Sequence, residues 1–84
     1  MPEISRFYGI IIKMYFTQKE HNPPHIHAQY GDCMSVIDIA TGAVIEGDLP
    51  IRAAKLVLEW YSIYKDELRT MWEKKEFKKL PPLA

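Results

Sequence analysis

Between Ile51 and about Lys75 the chain contains neither glycine nor proline, and this stretch constrains the fold more than any other. Ala53, Leu56, Val57, Trp60, Ile63, Tyr64, Leu68 and Met71 recur within it at three- and four-residue steps. Such spacing draws one apolar stripe along a long helix, over about 50–75. Arg52, Lys55, Glu59, Asp66 and Glu73 occupy the opposite side. The preceding Gly47-Asp48-Leu49-Pro50 is a helix-start pattern. Asp48 is expected to accept hydrogen bonds from orphan amides, and proline is tolerated in a first turn because its missing donor would be unpaired there. Pro81-Pro82 ends any continuation.

The residues before the helix carry the two-residue period of strands. Residues 5–17 read as one strand, with Ile10, Ile12, Met14 and Phe16 on one face and Tyr8, Ile11, Lys13 and Tyr15 elsewhere. Apolar groups on both faces mark a central strand. Gln18 to Pro24 breaks the pattern, and its two consecutive prolines hold a connection of fixed shape. Alternation resumes over 25–30, where Ile26, Ala28 and Tyr30 oppose His25, His27 and Gln29. Gly31-Asp32 turns the chain into a strand over 33–39, and Ala40-Thr41-Gly42 turns it into 43–46. Short connections make these strands antiparallel.

The expected architecture is α+β: an antiparallel meander of three to four strands with one long C-terminal helix packed on one face, all within a single domain, 1–84. Leu56, Trp60, Ile63 and Tyr64 are expected to bury against Ile10 or Ile11, Ile26, and Val36 or Ile37. A chain of 84 residues buries roughly 64% of its unfolded surface, enough for one modest core and no separate cofactor domain.

Eleven Lys and Arg balance eleven Asp and Glu. Zero net charge disfavours a dedicated non-specific nucleic-acid binder, which needs a basic excess to release counterions. It also leaves little repulsion between copies. The single Cys33 excludes an intramolecular disulfide and fits a reducing cytosol. Met1 to Arg6 lacks an apolar core of signal-peptide length, and the run Phe7–Ile12 is far short of a membrane span. A cytoplasmic protein, not a membrane one, is the expectation.

His21-Asn22-Pro23-Pro24-His25-Ile26-His27 holds every histidine in the chain. In a strand, His25 and His27 point the same way, so two imidazoles stand side by side. That pair suits two ligands of Zn²⁺ or a similar divalent ion. His21 lies up to about 13 Å from the pair if extended and joins it only if the segment folds back. A fourth ligand would come from Glu20, Asp32 or Cys33. No Cys-x-x-Cys or His-Glu-x-x-His accompanies the pair. The same histidines also fit metal-free acid–base catalysis of the kind RNA cleavage uses, with Arg6 or Lys13 as the cation for phosphate. Contact with a partner or nucleic acid is a third use, and a structural role beside the rigid Pro-Pro turn, stacked on Tyr30 or Tyr15, is a fourth. Lys74, Lys75, Lys78 and Lys79 read as a solvated helix end, interrupted by Glu73 and Glu76. Trp60, Tyr61, Tyr64 and Trp72 offer an aromatic platform, with Trp60 and Tyr64 assigned to the core first.

The pieces Ile4-Ser5-Arg6-Phe7-Tyr8-Gly9-Ile10, Met14-Tyr15-Phe16, His21-Asn22-Pro23-Pro24-His25-Ile26-His27-Ala28, Val36-Ile37-Asp38-Ile39, Glu46-Gly47-Asp48-Leu49-Pro50 and Leu56-Val57-Leu58-Glu59-Trp60 stand in this order. Together they resemble the bacterial family catalogued as domain of unknown function 4160. That family carries no assigned activity. Its members are often labelled transcriptional regulators and are commonly encoded beside a small protein of the domain of unknown function 2442 type, in toxin–antitoxin-like arrangements. The resemblance implies a cytoplasmic regulatory or interaction module with that small protein as partner, not a metabolic enzyme. An apolar strip beside a histidine patch adds the expectation of a homodimer or heteromer. The competing expectation is a phosphodiester-acting enzyme using His21, His25 or His27.

Overall fold

A computed structural model describes residues 3–14 and 24–83. Five strands, β1 (Glu3–Phe7), β2 (Ile10–Lys13), β3 (His25–Tyr30), β4 (Cys33–Asp38) and β5 (Val44–Gly47), precede one helix, α1 (Ile51–Lys74). The strands form one sheet in the order β1-β2-β3-β4-β5, every neighbour antiparallel. The meander and the long C-terminal helix match the expected α+β arrangement.

The strand count does not, because the alternation over 5–17 belongs to a hairpin rather than to one strand. Phe7 pairs with Ile10, and Tyr8 and Gly9 between them have φ of 49° and 80°. Two left-handed residues in succession make the two-residue turn whose twist suits a hairpin. Asn-Gly is the usual signal for it, and Tyr8-Gly9 hides the turn inside an apolar alternation that continues on both sides. Residues 15–17, including Phe16, lie outside the described residues.

Alternation in the strands supplies one wall of the core. Ile10, Ile12, Met14, Ile26, Ala28, Ile37 and Ile39 are buried to within 1% of complete exclusion. The helix supplies the other wall through Ala53, Val57, Trp60, Tyr61, Leu68, Met71 and Trp72. Leu56 and Tyr64 pack at its margin. Ile63 does not join them and is 59% exposed. Six residues beyond Val57, it is rotated roughly 120° from the centre of the stripe, whereas Tyr61 and Trp72 lie within about 60° of it. Tyr61 is buried instead, its hydroxyl donating to the carbonyl of Ile39, and burial pushes its phenol pKa up. Ile11 and Val36 are only half-buried, which leaves Ile10 and Ile37 as the core members of their pairs.

The helix start departs from the expected pattern. Pro50 is the N-cap residue and no side chain caps the first turn. Asp48 lies two residues too far upstream, and its amide donates to the Met34 carbonyl while the Leu49 amide donates to Ser35 Oγ. The junction is thereby tied to β4 rather than to the helix. At the other end Lys75 turns left-handed at φ 55°, and the amides of Lys75 and Glu76 donate back to the carbonyls of Trp72 and Met71. This reversal sends the tail back across the molecule.

Lys74, Lys75, Lys78 and Lys79 are exposed, as a solvated helix end requires, but the residues that follow them dock. Leu80 is buried, and its amide donates to the Ile4 carbonyl at 2.7 Å. The Pro81 carbonyl accepts from the Trp60 indole at 2.9 Å and from Ser5 Oγ at 3.3 Å. Lys78 meets Glu67 at 3.2 Å on the surface. The result is a strap along β1, the first edge of the sheet. Among the described residues no helix is long and apolar enough to cross a membrane.

Candidate functional site

β3 points His25 and His27 to the same side, opposite the buried Ile26 and Ala28. Their rings meet edge to face with centroids 5.2 Å apart. Trp72 approaches from the end of α1, its ring 5.4 Å from that of His25, and Lys75 Nζ lies 4.9 Å from the Trp72 centroid. Cross-strand neighbours complete the surround, because paired residues share a face. Lys13 of β2 stands opposite His27, and Asp38 of β4 stands opposite His25. Lys13 Nζ donates to Gln29 Oε1 at 3.1 Å, and Asp38 Oδ1 accepts from the Ala40 amide at 2.7 Å.

The sheet thus unites His25, His27 and Lys13, and separates the rest of the expected set. Arg6 faces Ile11 on the far strand and is engaged by Glu3 through contacts of 2.7 and 3.2 Å. Asp32 and Cys33 sit at the β3–β4 turn, where Cys33 pairs with Tyr30. Five strand residues, about 17 Å, separate that pair from His25, so neither residue completes a ligand set with it. His21 and Glu20 lie outside the described residues.

Two imidazoles bound to one tetrahedral Zn²⁺ through bonds of about 2.0–2.1 Å would place their centroids roughly 5 Å apart. The observed spacing is compatible with that figure. Among the described residues no group of three or more His, Cys, Asp or Glu is placed to hold a metal.

Burial of His27 lowers its pKa below the ordinary imidazole value, and His25 and Lys13 push in the same direction while Glu46 opposes them. Neutral His27 can accept a proton or a metal. A lowered folded-state pKa means that the unfolded chain binds this proton more readily, so the contribution to stability is present above pH 6.5 and is lost as pH falls from there through the depressed value. Urea midpoints measured at about pH 7.5 and about pH 5 are expected to fall on acidification, and His27→Gln is expected to flatten the difference.

A second feature escaped the sequence reading. All four residues of β5 are exposed, with Val44 and Ile45 at 46% and 49%. β5 ends the sheet, and among the described residues no strand lies beyond it. The first edge is strapped and the last is open. Charge counted by segment, rather than over the whole chain, is the signal that marks this edge. Gly31 to Ile51 carries Asp32, Asp38, Glu46 and Asp48 and contains no Lys, Arg or His.

Comparison with known families matches residues 9–73 to the family described as Domain of unknown function (DUF4160). No curated protein and no solved structure matches the chain. The matched span takes in β2 to β5, all three histidines and nearly all of α1, whereas β1 and the strap that covers it fall outside. With most of its length matched, the chain belongs to the DUF4160 family.

Proposed function

We propose that this chain is a cytoplasmic protein-interaction module, one component of a toxin–antitoxin-like pair whose other half is the small neighbouring protein of the domain of unknown function 2442 type. The unequal treatment of the two sheet edges carries this proposal. An unpaired edge is a template for another chain, and folded proteins ordinarily cover or charge it. Here the strap covers β1, while β5 is left uncovered, with exposed Val44 and Ile45 beside the one charge of Glu46. Co-expression with the neighbouring protein followed by pull-down tests the proposal. A complex that survives purification is expected; no complex and no growth phenotype would refute it.

A second function is favoured by one specific observation, the union of His25, His27 and Lys13 on one face. Neutral His27 is suited to remove a proton, His25 to deliver one, and Lys13 to hold a phosphate, the three roles that RNA cleavage requires. Purified protein incubated with RNA, with and without EDTA, is the measurement. If this function holds, cleavage falls at least about a hundredfold in the His25→Ala, His27→Ala variant. Loss with EDTA assigns the histidines to a metal instead. Zinc content well below one ion per chain removes the zinc branch.

A further inference from the structure

We infer, resting on the interaction function proposed above, that the open β5 edge takes up an extended segment of a different protein in which apolar residues alternate with Lys or Arg, and that it does not pair with a second copy of its own chain. Strand addition needs free ladder groups, accessible side chains on the edge, and a reason for selectivity. β5 meets the first two as the last strand of the sheet, with Val44 and Ile45 about half exposed. Selectivity comes from two devices. Ile45 is the extra residue of a bulge, since Val36 pairs with Glu46 and Ile37 with Val44. Glu46 then places a carboxylate within the strand. Bulges and edge charges both discourage indiscriminate pairing.

The charge also decides which strand is accepted. Asp32, Glu46 and Asp48 are exposed, and no cation within the acidic segment from Gly31 to Ile51 offsets them. Since the chain as a whole is neutral, the remainder is correspondingly basic. A second copy would bring the same acidic hairpin to the junction and set two Glu46 side chains within one four-residue overlap, a like-charge arrangement that destabilises strand pairs. The basic excess of a second copy falls chiefly on Lys75, Lys78 and Lys79 of its tail, which its own fold holds against β1 through the Leu80 amide and the Pro81 carbonyl. Phosphate backbones are repelled by the same carboxylates. What fits is a foreign strand with aliphatic side chains for Val44 and Ile45 and a cation for Glu46.

The probe is a capped hexapeptide alternating lysine and valine, titrated into the isotope-labelled full chain and followed by amide chemical shifts. Saturable shifts centred on residues 44–48 are expected, weakened about tenfold by Glu46→Lys or by replacing the peptide lysines with glutamate. Salt at roughly 0.5 M is expected to weaken them as well. Because Glu46 is exposed, Glu46→Gln is available as a milder variant if Glu46→Lys perturbs folding. Absence of binding, or shifts elsewhere with β5 silent, overturns the inference. So does a dimer of the chain alone whose β5 amides are protected from hydrogen exchange. Peptide bound at β5 without capture of the neighbouring protein upholds the edge and removes the two-component function. Capture of the neighbour with β5 amides unprotected does the reverse.

Discussion

Trp60→Ala is expected to lower the unfolding free energy by about 3–5 kcal/mol, the range for removing a buried aromatic. Trp60 is fully buried, stacks on Phe7 at a centroid distance of 5.8 Å, and lies 5.4 Å from Tyr64. Its indole also donates to the Pro81 carbonyl, so one side chain joins α1, β1 and the strap. A chain of 84 residues has a total stability of roughly 4–13 kcal/mol. The loss therefore consumes much of it, and at the lower end leaves the chain unfolded. Urea unfolding followed by circular dichroism is the check. Trp60→Phe retains most of the volume and forfeits the hydrogen bond, so a loss of about 1–2 kcal/mol is expected for it. Equal losses for the two variants would place the importance of Trp60 in its indole donor rather than in its packing.

Gly47→Ala is the second large effect. Gly47 has φ 112°, a conformation that side chains rarely adopt. An added Cβ would overlap the Met34 carbonyl oxygen and Ser35 Cα, both backbone atoms that cannot swing aside. Backbone strain of about 1–3 kcal/mol combines with overpacking of roughly 1–3 kcal/mol. The expected outcome is a lower thermal midpoint together with faster hydrogen exchange in β5. Exchange unchanged in β5 would show that the β4–β5 junction relaxes without opening.

The legible part of this fold was whatever periodicity alone specifies. The helix over about 50–75 closely matches Ile51–Lys74 because an uninterrupted three- and four-residue stripe has few other solutions. Gly31-Asp32 marked its hairpin for a similar reason, since glycine supplies the left-handed residue that such a turn needs. Tyr8 was opaque because an aromatic residue at φ 49° carries no turn signal. Ile63 misled because its spacing suits the stripe from one neighbour while its rotation does not suit the stripe's centre. Of the histidine site, the shared direction of His25 and His27 followed from strand alternation. The proximity of Lys13 and Trp72 did not, because register and the approach of the helix end are set by tertiary packing. The open edge was invisible to a whole-chain charge count that sums to zero.

The strap has a kinetic meaning. Successive strands of the meander pair with one another across connections of at most eleven residues, so their pairing closes comparatively short loops. The contact between Ser5 and Pro81 spans 76 residues and repays its loop entropy only after the sheet and helix have assembled. Contacts absent from the transition state govern how fast a protein opens rather than how fast it closes. The buried Leu80 and the Pro81 carbonyl are therefore expected to act as a latch that sets last and releases first. The lifetime of the closed β1 edge is thus set by only a few residues near the far end of the chain.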